Sequence, residues 1–148
     1  MTETAIVHIV DDDTSLRDAL GSLFRSVGLA SRTYGSADDF LESALPDEPG
    51  CLVLDIRLPG VSGLDFQARL SELGVRLPVV LMTGHGDIPM SVRGMKAGAV
   101  DFLTKPFRDQ DMLDATAVAI ARDRERRARE GEHVRLQTLL ATLSPREK

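Results

Sequence analysis

The chain has 148 residues, of which 43 % are hydrophobic and 28 % charged, enough apolar material for a core and no sign of global disorder. A formal net charge of -5 argues against nucleic-acid binding by the chain alone, because such binders carry a basic footprint. The single cysteine, Cys51, excludes a disulfide framework, and the N-terminal stretch has neither a basic region nor a long apolar run, which predicts a cytoplasmic location.

Five short apolar runs alternate with helix-like stretches. The first, "AIVHIV", ends at three adjacent aspartates, Asp11, Asp12 and Asp13. "TSLRDALGSLFRSVG" then places Leu16, Leu20, Leu23 and Val27 at helical spacing, with Gly28 as a stop signal. "ASRTYG" reads as a weak second strand, and "SADDFLESAL" as a helix capped by Ser36. "CLVLD" is a continuous apolar run ending in Asp55, followed by the turn-rich "IRLPGVSG" and a helix near residues 62–73. "LPVVLMTG" is the fourth strand, "DIPMSVRGMKAGA" a helix interrupted by Gly94, and "VDFLTKPF" a short fifth strand stopping at Lys105-Pro106. A last helix starts around Asp109.

This β-α alternation predicts a parallel sheet with helices on both faces, and near-continuous apolar strands fit burial on both sides. Functional groups in such sheets gather beyond the C-terminal strand ends. Asp11 and Asp12, Asp55, Thr83 and Lys105 close four different strands there. A cluster of carboxylates suits a hard cation such as Mg²⁺, which takes one or two carboxylates together with phosphate oxygens. Lys105 adds a positive charge and Thr83 a hydroxyl, which together make a phosphoryl-transfer site, and an aspartate can itself accept the group as an acyl phosphate. Each residue alone has a plainer reading: aspartates after a strand cap helices, Thr83 is a turn hydroxyl, Lys105 a solvated charge and Phe102 core. His8 and His85 lack metal-ligand spacing and read as structural. "TGHGDIP" carries Pro89 where a dinucleotide fingerprint has its third glycine, and no GxxxxGK[ST] occurs.

"VDDD", "LDIRLPGVSG", "LMTGHG" and "DFLTKPF" closely resemble the receiver domain of two-component response regulators over roughly residues 4–122. The wording is most similar to the FixJ-type subgroup, in which a receiver precedes a LuxR-type helix-turn-helix. The resemblance implies a flavodoxin-like five-stranded parallel sheet of order 2-1-3-4-5 and a phosphoacceptor at Asp55. It implies Mg²⁺ held directly by Asp12, through water by Asp11, and by Asp55 and the Arg57 carbonyl. It further implies that Thr83, Lys105 and the backbone N–H groups of Ile56 and Gly84 bind phosphoryl oxygens, with Lys105-Pro106 cis. Thr83 and Phe102 would form the switch, altering a face of helix four, strand five and helix five where copies dimerise. The partners implied are a sensor histidine kinase, a second copy, and DNA only through an output domain, with no membrane. The chain would assist its own phosphorylation and dephosphorylation without being a conventional enzyme.

Beyond residue 122 the composition changes. "ARDRERRAREGEHVR" is charged on nearly all sides, and "VRLQTLLATL" places Leu136, Leu139, Leu140 and Leu143 on one stripe. The run of helix formers from Met112 to Arg129 predicts that the last helix continues as a linker over 123–142, with Gly131 able to end or bend it. "LSPREK", at residues 143–148, resembles the opening of the LuxR-type domain, cut short. Two rivals remain: a stand-alone receiver acting through protein contacts, and an aspartyl-nucleophile phosphatase. The second is disfavoured because such enzymes carry an acid two residues after the nucleophile, where this chain has Arg57.

Overall fold

The computed structural model describes residues 5–58, 61–84 and 88–143. Five strands form one parallel sheet: β1 (Ile6–Val10), β2 (Ala30–Tyr34), β3 (Gly50–Asp55), β4 (Val79–Thr83) and β5 (Asp101–Thr104). Their order across the sheet is β2-β1-β3-β4-β5, the doubly wound order expected from the motifs. A two-residue ribbon, Arg57–Leu58 against Val61–Ser62, follows β3 antiparallel; the turn-rich composition there had given no sign of it.

The strands β1, β3 and β4 are buried along their whole length, which explains why they read as unbroken apolar runs. β2 is polar and largely exposed because it is an edge strand. One sheet face is covered by α1 (Thr14–Ser26) and α5 (Asp109–Leu143), through Leu20, Phe24, Met112, Ala115 and Ala119 packing on Val7, Ile9, Val53 and Val80. The other is covered by α2 (Ala37–Glu42), α3 (Gly63–Glu72) and α4 (Ile88–Lys96), where Phe40, Phe66 and Leu70 meet Val10, Leu52, Leu54 and Leu81. Perpendicular ring contacts link Tyr34, Phe40 and Phe66 across that face.

Asp13 caps α1, its side chain accepting from the Leu16 N–H at 3.2 Å. The same helix ends at Gly28, whose φ of 82° lets the Leu29 N–H return to the Phe24 carbonyl at 2.9 Å. Ser36 caps α2 as expected, but that helix stops at Glu42, short of the stretch to Leu45 that the pattern suggested. Ser43 folds its hydroxyl onto the Phe40 carbonyl at 2.6 Å, and Pro46 disfavours helix just before it. α5 is one helix through Gly131, about 52 Å long at the standard rise per residue. Among the described residues no helix is long and apolar enough to cross a membrane. "LSPREK" beyond Leu143 and His85 lie outside the described residues. His8 is buried, its Nδ1 3.0 Å from the Tyr34 hydroxyl, and burial beside Arg32 lowers its pKa to about 4.

Candidate functional site: an acidic pocket at the strand ends

The parallel pairing sets β1 between β2 and β3, so the residues that follow Val10 stand beside Asp55. Carboxylate oxygens of Asp11, Asp12 and Asp55 all lie within 4.8 Å of one another. Asp11 is fully buried, Asp55 nearly so, and Asp12 faces solvent. Asp11 is held on every side. Its N–H donates to the Tyr34 carbonyl at 3.1 Å, and its carbonyl accepts from Arg17 Nη1 at 2.6 Å. Its Oδ1 accepts from the Asp13 N–H at 2.8 Å. Neither the distance of Arg17 from Asp11 along the chain nor its helical position marks it in the sequence as the brace of this loop.

Lys105 reaches the pocket because its N–H donates to the Thr83 carbonyl at 2.7 Å, continuing the β4–β5 pairing past Thr104. The Lys105-Pro106 peptide is cis, as the motif implied. The ammonium lies 3.1 Å from Asp11 Oδ2 and 3.2 Å from Asp55 Oδ2. Burial alone would lower the Lys105 pKa, but its hydrogen bond and charge interactions with both aspartates outweigh that and raise it. Asp55 is pushed the same way: desolvation raises its pKa, and the neighbouring Asp11 adds to this, against the lowering effect of the Arg57 N–H and Lys105. A buried acid held above its ordinary range beside two others is a site that a divalent cation would relieve. The donor set is all oxygen, with one exposed carboxylate at its mouth, which fits Mg²⁺.

Thr83 is buried at the end of β4, one position beyond Met82, the register partner of Asp55. Phe102 pairs with Leu81 and Thr104 with Thr83, so Phe102 and Thr83 project on the same sheet face. Phe102 is half-buried against the cluster of Leu54, Leu81 and Met90. Gly84 follows Thr83 directly.

The Ile56 N–H, expected to bind phosphoryl oxygens, donates to the Met82 carbonyl at 3.0 Å, prolonging the β3–β4 ladder. The sheet consumes that donor. The N–H that turns to the Asp55 carboxylate is that of Arg57, 3.0 Å from Asp55 Oδ1.

Residues 7–117 match the response regulator receiver domain, and the chain belongs to that family. It is 56 % identical over 144 residues to nodulation protein W of Bradyrhizobium diazoefficiens, covering 97 % of this chain and 63 % of that protein. It is 40 % identical to the transcriptional regulatory protein FixJ of Azorhizobium caulinodans, covering 100 % of this chain and 70 % of that one. The solved structure of response regulator StyR superposes with a TM-score of 0.90 at 44 % identity, covering 97 % of this chain and 73 % of that one. Full-length FixJ from B. japonicum superposes at 0.78 with 35 % identity, covering 99 % and 72 %. The FixJ-type resemblance read from the motifs therefore holds. The chain spans less than two thirds of the length of several curated relatives it matches.

Proposed function

We propose that Asp55 accepts a phosphoryl group from a phosphohistidine of a sensor histidine kinase. The observation that carries this is the convergence of three carboxylates within 4.8 Å, with the Lys105 ammonium bridging two of them. An Asp55 carboxylate oxygen attacks phosphorus in line with the imidazole nitrogen. The new O–P bond makes an acyl phosphate as the P–N bond breaks, and the electron pair leaves on the imidazole nitrogen. Asp11, Asp12, Asp55 and the Arg57 carbonyl would hold Mg²⁺, Asp11 mainly through water, and the ion when bound neutralises carboxylate and phosphoryl charge. Lys105 turns from its bridge toward the phosphoryl oxygens, and Thr83 and the N–H groups of Gly84 and Arg57 supply neutral donors. The same groups assist slow hydrolysis, so the receiver is a phosphorylated switch and not a conventional enzyme.

Drawing the Thr83 hydroxyl toward the phosphoryl group frees space on the sheet face it shares with Phe102, and Phe102 moves into it. This biases the face of α4, β5 and α5 toward pairing with a second copy. Ile88, Val92 and Met95 on α4 and Val118 on α5 support that part of the reading, being exposed apolar residues. Dimerisation then controls a DNA-binding output domain in a cytoplasmic regulator, the role that relatives named transcriptional regulators suggest.

Acetyl phosphate with Mg²⁺ should label the wild-type chain at Asp55 and leave Asp55→Asn unlabelled; labelling of the variant at an equal rate would defeat the assignment. Sedimentation with beryllofluoride and Mg²⁺ should show a shift toward dimer, and a monomer under saturating conditions would remove the dimer step.

A further inference from the structure

At the opposite end of the sheet from the acidic pocket, Asp123 of α5 is a third buried aspartate, with a side-chain exposure of 0 %. It is fully satisfied. Oδ2 accepts from the Gly50 N–H at 2.9 Å and from Arg127 Nε at 3.1 Å, while Oδ1 accepts from Arg126 Nη2 at 2.7 Å and Nε at 3.2 Å. Arg127 also reaches the loop before β3, donating to Asp47 Oδ1 and to the Glu48 carbonyl, each at 2.8 Å. Arg126 donates to Glu130, which in turn pairs with Arg76 at 3.1 Å.

A cavity of about 260 Å³ opens beside these groups, lined by His8, Pro46, Val75, Arg76, Arg126 and Arg127. Its three arginines are matched by Asp47, Asp123 and Glu130, so the cluster is neutral and has no surplus charge with which to hold an anion. Its geometry points to mechanics. Among the described ion pairs, Arg127 makes the last partly buried tie from α5 to the domain, and the Arg76–Glu130 pair is exposed and weak. From Gly131 to Ala141 every residue of α5 is exposed. A single helix therefore runs about 24 Å past Arg127.

We propose that Asp123, Arg126 and Arg127 form an orienting clamp that fixes the direction in which the distal, exposed end of α5 leaves the domain. Domain and projecting helix then move as one rigid lever whose direction is set at the base of the sheet. Strand β3 is the member common to both ends: Gly50 donates to the clamp and Asp55 sits in the pocket. A buried carboxylate shared by two guanidinium groups tolerates little angular freedom, because loosening either leaves charge poorly solvated.

The test measures the spread of distances between spin labels on Glu72→Cys and Gln137→Cys, both exposed positions, by pulsed electron resonance. Cys51 is fully buried and takes no label. With the clamp intact the distribution is a single narrow peak, and Arg127→Met at least doubles its width while circular dichroism shows the helix retained. Should Arg127→Met fail to fold, Arg127→Lys keeps a cation but loses the forked contacts and broadens the peak to a lesser degree. A broad distribution with the clamp intact, or a peak whose width neither substitution changes, overturns the proposal. The readout requires no phosphorylation and stands apart from the phosphoryl reading.

Discussion

Lys105 Nζ stands 3.2 Å from Asp55 Oδ2, and the same ammonium is 3.1 Å from Asp11, so one cation serves two carboxylates that sit at the ends of different strands. In Lys105→Met both aspartates lose their counter-charge, and the chain should lose about 1–2 kcal/mol of stability without metal, a figure reduced for the partial exposure of the lysine. Mg²⁺ should bind several-fold more tightly, because a competitor for the same oxygens is gone, while labelling by acetyl phosphate should fall sharply. Calorimetric titration and urea unfolding check the two halves separately. An unchanged Mg²⁺ affinity would show that lysine and metal do not share those oxygens.

The three consecutive aspartates divide by role. Asp13 caps α1 and offers only its main-chain N–H to Asp11, so Asp13→Ala should cost about 1 kcal/mol and leave Mg²⁺ affinity within about twofold. Asp12→Asn should do the reverse, weakening Mg²⁺ strongly with little effect on the unfolding midpoint. Thermal melts paired with metal titration of both variants give the comparison.

Much of this site is legible in the sequence because its members are marked by position: acids, hydroxyl and lysine each close an apolar run. The edge strand β2 and the shortened α2 are harder to read, since their composition reflects exposure and a nearby proline more than local preference. The Ile56 N–H could not be judged from sequence, because its fate depends on how far the β3–β4 ladder runs past Asp55. Arg17 and Asp123 were invisible for a related reason. Their long-range partners, the Asp11 carbonyl and the Gly50 N–H, are main-chain groups that carry no residue-specific signal.

His8 gives a pH dependence whose sign can be worked out. Its folded pKa is about 4, below the ordinary 6.5, so the unfolded chain binds the extra proton first as pH falls. Stability contributed by the neutral ring is present above pH 6.5 and lost on the way down to about pH 4. Between pH 7 and pH 4.5 that loss is about 2–3 kcal/mol, and His8→Phe should show a drop smaller by that amount. Urea midpoints of both proteins at the two pH values decide it; equal drops would mean the ring titrates normally.

Gly63 opens α3 immediately behind Asp55. A Cβ there would stand 2.7 Å from both the Asp55 carbonyl oxygen and Ile56 Cα, main-chain atoms that cannot swing aside. Gly63→Ala should therefore cost about 1–3 kcal/mol and move the Asp55 main chain. Large amide shifts at Asp55 and Ile56 with slowed labelling are the expected signature, and wild-type spectra would refute it.

The polarity that hid β2 in the sequence has a use of its own. Ala30, Arg32 and Thr33 are exposed along the open margin of the sheet, next to strands that are otherwise continuous apolar tracts. A margin with unpaired main-chain groups is a template for pairing with another chain, and a short polar strand with a charge on it is a poor template. β2 thus guards the most aggregation-prone part of the molecule, and a hydrophobic exchange at Arg32 would turn a soluble edge into an adhesive one.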